Sequence, residues 1–226
     1  EMVIRDWSSD VCSSDLEKAL KIAPSKKGGN GSNFPDIKLF IQTKSLRKIP
    51  VMVEVKGKKG ALIKVNASNE IDNIKKDGSP NFTNINKYAV NGAIHYANAI
   101  INNSITYKEA IAVGLNGYDE PGGRIYEIET YYISRDNYCI PKRLKTYEDL
   151  SFLLPGNIDK LIDEIDNSYL TDEELEAKAK EFENEIEIKL KKLNQVMQDD
   201  LKISVGSRVE RSEEHTSELQ SRITIS

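Results

Sequence analysis

The chain alternates between short runs with a two-residue hydrophobic period and longer stretches with a helical one. Val51, Val53 and Val55 alternate with Met52, Glu54 and Lys56, so Pro50 to Lys56 reads as a strand with an apolar face and a chemically mixed face. Ile37 to Gln42 reads as a strand before it, with Thr43 to Lys48 as a polar turn between the two. Ala61 to Val65 is predicted as a third strand, and residues 66–84, rich in Asn, Lys, Gly and Pro, as a loop able to close over a ligand. Ile85, Ala89, Gly92, Ala93, Tyr96, Ala97 and Ile100 recur at helical spacing and predict a helix over Ile85 to Asn102 with one packed face. Glu109 to Leu115 is an apolar strand ending at the turn signal Asn116-Gly117, and Arg124 to Ser134 is a strand following the turn Gly122-Gly123. Ahead of these, Leu16 to Ala23 reads as a short helix with Leu20 and Ile22 inward, and Pro24 to Asn33 as a Gly/Ser/Lys loop. The predicted order is helix, three strands, helix, two strands, an α/β chain.

After Pro141 the pattern changes. Asn157 to Asp166 reads as a short helix. Thr171 is a candidate N-cap, with Asp172, Glu173 and Glu174 in the first turn, where carboxylates suit the helix dipole. The helix then runs to about Asp200. Its stripe of Leu175, Phe182, Ile186, Leu190, Leu193, Met197 and Leu201 is continuous, on an otherwise charged rod. One stripe cannot bury itself, so residues 141–210 read as a helical connector more than as a free coiled-coil arm.

The two ends read differently. Asp6 to Leu16 and Arg211 to Ser221 resemble translated frames of a short-read sequencing adapter, so residues 1–16 and 211–226 read as adapter-derived. Residues 1–16 also lack an apolar core of signal-peptide length. Between the ends stand 29 basic and 29 acidic residues, against a net charge of −4 for the whole chain. Cys139 is the one cysteine left there, which excludes an intrachain disulfide and fits a reducing cytoplasm. No CxxC or His/Cys cluster supports structural zinc, and no apolar run approaches membrane-spanning length, so no membrane partner is expected. Residues 202–210 run into the adapter-like tail without a natural ending, which leads us to expect a longer parent protein.

The neutral average hides segregation. Residues 17–76 carry a surplus of +9 and residues 159–200 a surplus of −8. Lys26, Lys27, Lys38, Lys44, Arg47, Lys48, Lys58, Lys59 and Lys64 form the basic front. Such a cluster suits a phosphate backbone; its bland alternative is a solvated face.

If the first two strands pair, Asp36 comes near Glu54 and Lys56. Two carboxylates can hold a hard cation such as Mg²⁺, and a lysine beside it can orient the water that attacks a phosphodiester. The competing reading is an ordinary surface hairpin. No GxSxG, P-loop or dinucleotide fingerprint is present, and a Ser-His-Asp triad would have only His95 to draw on between the two ends.

Pro35-Asp36, then Glu54-Val55-Lys56 followed by Gly57, resembles the PD-(D/E)xK nuclease motif, with Gly28, Gly29 and Gly31 ahead of it. The resemblance implies an αβββαβ restriction-endonuclease-like core over residues 17–140. It implies Asp36, Glu54 and Lys56 as catalytic residues, and Asp36, Glu54 and the Val55 carbonyl as ligands of Mg²⁺, with Mn²⁺ able to substitute. Glu17, on the first helix, would complete the metal site. Tyr96 would meet DNA from the following helix, where Gly92 stands in place of the Gln of a related pattern; Asn91 and His95 could also touch DNA, or be plain helix surface. Lys26, Lys27, Lys58 and Lys59 would contact the backbone of double-stranded DNA. The layout further resembles the N-terminal part of a combined restriction-modification enzyme, type IIG or type I-like. Methyltransferase and target-recognition domains, with S-adenosylmethionine as their cofactor, would then lie downstream. A repair or recombination nuclease of the same fold, and a non-catalytic DNA-binding module, are the alternatives.

Overall fold

The computed structural model describes residues 11–29, 34–43, 46–169 and 171–199. They form two compact units that divide after Tyr169. Within the first, the described elements are α1 (Val11–Ile22), β1 (Ile37–Gln42), β2 (Lys48–Lys56), α2 (Phe82–Lys87), α3 (Ala89–Asn103), β3 (Glu109–Glu120), β4 (Gly123–Ser134), β5 (Lys142–Arg143) and α4 (Ile158–Asp166). The strands make one five-stranded sheet in chain order. β2 and β3 pair in parallel, and the other neighbours are antiparallel. The chain is therefore a mixed α/β protein.

The two-residue period decides which side chain faces which layer. Val51, Val53, Ile111 and Val113 point to one face and pack with Leu144, Phe152, Leu153, Ile158, Leu161 and Ile165. Their neighbours Met52, Ala110 and Ala112 point to the other face, under α1 and α3. A parallel pair needs a crossover, and helices carried by crossovers cover the sheet. Here the crossover is the 57–88 segment plus α3. The face carrying Met52 and Glu54, read from alternation as chemically mixed, is thus covered rather than wet; both side chains are fully buried. Residues 144–165, expected to belong with the helical connector, are instead part of the sheet's second covering layer.

Several expectations are corrected. Ala61 to Val65 is not a strand of the sheet. The Ala61 and Leu62 carbonyls accept the amides of Ala89 and Val90 and so satisfy the start of α3. β2 lies between β1 and β3, so the described order in this unit is helix, two strands, two helices, three strands and a helix, with no third strand ahead of α3. The helix expected from Ile85 breaks at Tyr88, which is extended (φ −112°, ψ 138°). Asn116-Gly117 is no turn: β3 runs on to Glu120, and the hairpin closes at Glu120↔Gly123. In α1 it is Leu16, Ala19 and Leu20 that are buried, while Ile22 is 68% exposed. The adapter-like stretch thus reaches into α1, and Asp15 accepts hydrogen bonds from the Ser104 hydroxyl and the Thr106 amide.

The second unit is described by α5 (Asp172–Asp199). Thr171 and Glu174 form a reciprocal capping box: Thr171 N–H donates to the Glu174 carboxylate, and Glu174 N–H to the Thr171 hydroxyl. Phe182 and Leu193, on the predicted stripe, are partly exposed. Leu201 and the adapter-like tail lie outside the described residues.

Candidate functional site

The site forms where β1 enters the sheet and β2 leaves it. The β1–β2 register ends at Ile37↔Val53, so the next step sets Asp36 opposite Glu54. Asp36 Oδ2 accepts the Val55 amide at 2.7 Å, which fixes its carboxylate at the end of β2. Glu54 and Lys56 follow on one side of β2 by alternation, and Lys56 Nζ donates to Glu54 Oε1 at 2.7 Å.

Glu54 is completely buried, and two glycines make that possible. A Cβ on Gly92 of α3 would lie 3.0 Å from Glu54 Cγ and 3.0 Å from the Ile85 carbonyl. Gly114, beside Glu54 in the β2–β3 register, lies under α3, where a Cβ would stand 2.5 Å from Val90 Cγ2. The helix therefore sits close on the sheet, and the carboxylate fills the slot at Gly92.

A buried carboxylate needs partners. Oε1 has two, because Lys26 Nζ donates to it at 2.5 Å alongside Lys56. Oε2 is buried with no hydrogen-bond partner. Lys26 arrives on the turn after α1, where Gly28 N–H bonds the Ser25 carbonyl and Gly28 has φ +77°. A side chain at Gly28 would strike the Phe82 ring at 2.6 Å, so the turn is seated against α2. His95 secures the same turn, its Nε2–H donating to the Pro24 carbonyl at 2.9 Å. Burial pushes the His95 pKa down, partly offset by that bond and by the Glu54 charge.

Tyr96 does not stand at the surface. Its ring is 1% exposed, in a cluster with Leu16, Leu20 and Met52, with Lys26 Nζ 6.0 Å from the ring centre. Burial, then the charges of Glu54 and Asp36, drive its phenol pKa up, so it stays neutral. Asn91 is neither a surface residue nor a free contact. It is fully buried, accepts the Lys64 amide and donates to the Lys64 carbonyl and to Asn73 Oδ1. Glu17 pairs with Lys38, which shares the Asp36 face of β1 by alternation.

The basic front is not uniformly available to an anion. Arg47 is held by Glu109 and Asp166, both at 2.7 Å. Lys59 pairs with Glu120 at 2.6 Å. Lys27, Lys58 and Lys64 are exposed, and Lys44 lies outside the described residues. Asn116, missed in the sequence, is fully buried and brackets the turn after Lys56 through the Lys58 amide and carbonyl and Glu127. A polar residue inside the apolar run of β3 is the signal that could have found it.

Asp36 and Glu54 in adjacent register, with one buried carboxylate oxygen unpartnered, fit a hard oxygen-seeking cation. Among the described residues no group of three or more His, Cys, Asp or Glu side chains gathers. Further ligands would therefore be a backbone carbonyl such as that of Val55, or water. No helix among the described residues is long and apolar enough to cross a membrane.

No family model matches the chain, and no solved structure matches it. Among curated proteins, the type II restriction enzyme and methyltransferase RM.BcgI of Heyndrickxia coagulans is 41% identical to it over 73 residues. The match covers 32% of this chain and about a tenth of that relative's length, 10%.

Proposed function

We propose that this chain is the metal-dependent DNA-cleaving part of a restriction-modification enzyme. The observation that carries this is the meeting of Asp36, a buried Glu54 with an unpartnered oxygen, and Lys56 at one strand end. The likeness to a restriction enzyme and methyltransferase supports the biological setting.

Asp36, Glu54 and the Val55 carbonyl would hold Mg²⁺ or Mn²⁺, and Glu17, which pairs with Lys38, would be the further acid of that site. The bound cation supplies Lewis acidity at the phosphate and at the leaving oxygen. Lys56 orients the attacking water with an N–H, while its bond to Glu54 keeps it in place. Lys27 and Lys58 meet backbone phosphates of double-stranded DNA. Cleavage leaves a 5′-phosphate. Target recognition, methylation and S-adenosylmethionine belong to other domains of the parent protein, which is cytoplasmic.

The test is calorimetric titration of Mn²⁺ into the 226-residue chain and its Glu54→Ala variant, followed by end-group analysis of any cleaved DNA. Binding that Glu54→Ala abolishes, with 5′-phosphate ends from the parent alone, is expected. Equal Mn²⁺ binding by both would make the chain a non-catalytic module.

A further inference from the structure

The sequence places Lys26 on the Gly-rich loop as a contact for DNA phosphate. Its ammonium lies instead within the site, on the same Glu54 oxygen as Lys56. The two cations and the two carboxylates, Asp36 and Glu54, balance. A divalent cation joining that set would leave two surplus positive charges around the buried Glu54 carboxylate, and that surplus is costly there even though Asp36 itself is exposed. Of the two lysines, Lys56 is anchored in the sheet. Lys26 is on a turn, its side chain 24% exposed, with a path to solvent. We propose that Lys26 is a positioning residue that holds Glu54 as a built-in counter-ion, yields it to the divalent cation, and then turns to the phosphate of the bound DNA.

This rests on the nuclease reading of Asp36 and Glu54 and adds an order of events to it. The turn bearing Lys26 is seated by Gly28 against Phe82 and by His95 on the Pro24 carbonyl. Release of Lys26 therefore needs only side-chain rotation about a fixed backbone. One lysine then serves two acceptors in turn: the carboxylate before the cation arrives, and the phosphate afterwards. The cation and Lys26 compete for Glu54 until DNA supplies a new acceptor.

The experiment is calorimetric titration of Ca²⁺ and Mn²⁺ into the full chain without DNA, for the parent, Lys26→Met, Lys26→Arg and Glu54→Gln. Lys26→Met keeps the side-chain length and removes the competitor. It should bind the cation about tenfold more tightly, while Lys26→Arg stays within about twofold of the parent. In the presence of Mn²⁺, Lys26→Met should also bind DNA more weakly. Unchanged cation affinity with weaker DNA binding would make Lys26 a plain phosphate contact and overturn the proposal. Weaker cation binding would make it a structural support for Glu54 and overturn the proposal equally. Circular dichroism and melting of each variant separate that case from misfolding, and Lys26→Arg carries the comparison if Lys26→Met does not fold. If the parent itself shows no cation binding that Glu54→Gln removes, the nuclease reading falls first and the competition with it.

Discussion

At the scale of the residue, the proposed function asks Glu54 to be reachable by a cation while fully buried. Two ammonium groups share one of its oxygens, and Gly92 leaves it room. Gly92→Ala should therefore destabilise the fold by about 1–3 kcal/mol through overpacking, and displace Glu54. Thermal melting would show the first effect, and loss of Mn²⁺ binding the second. His95 makes a pH-dependent contribution. Burial depresses its native pKa below the unfolded value, so the unfolded chain binds the proton more readily. Stability should then rise with pH from the depressed native value up to about 6.5, and this contribution should be flat above it. Denaturant titrations from pH 5 to 8 on the parent and His95→Gln should show a slope that the variant lacks. The meeting of Asp36, Glu54 and Lys56 was legible because strand alternation puts Glu54 and Lys56 on one side and pairing brings Asp36 to them. The positions of Lys26 on Glu54 and of Asn91 under Lys64 were not, because both join residues far apart in sequence that only the packed helix brings together.

At the scale of the element, β1, β2 and β4 were readable nearly to their ends, because each carries a clean two-residue period between polar turns. The Ala61 to Val65 run carries a similar apolar signal but spends it on α3, whose first amides it caps. Pattern alone cannot distinguish an apolar run that joins a sheet from one that covers a helix end. The 66–84 segment, expected to close over DNA, is bound to its own helices through Asn91, Asn73 and Asn84. Asn91→Ala would take the side-chain partner from the Lys64 amide, the Lys64 carbonyl and Asn73 Oδ1, while Asn73 Nδ2 keeps the main-chain carbonyl of residue 91. A loss of about 2–4 kcal/mol in urea unfolding is expected, with faster proteolysis within residues 61–81. Parental stability and protection in that variant would show that this loop is held by other contacts.

At the scale of the whole molecule, the sequence shows a basic front, and the fold sorts it into structural and available charge. Arg47 clasps Glu109 and Asp166, so Arg47→Ala should lower stability and leave the salt dependence of DNA binding alone. Lys27 and Lys58 are exposed beside the site, and each replaced by Ala should reduce the slope of log affinity against log salt by about one. Fluorescence anisotropy of a labelled duplex over a salt series separates the two classes. The division of the chain after Tyr169 was not legible, because the apolar pattern of residues 144–165 reads equally well as a connector helix or as a layer on a sheet. The proposed function is DNA cleavage by Asp36, Glu54 and Lys56 with a bound cation. Its most direct test is nicking of supercoiled plasmid by the full chain in Mg²⁺ or Mn²⁺, beside Asp36→Ala and Lys56→Ala. Relaxed plasmid is predicted from the parent, with none from either variant and none in chelator. Equal nicking by all three proteins, or nicking that survives chelation, would contradict it.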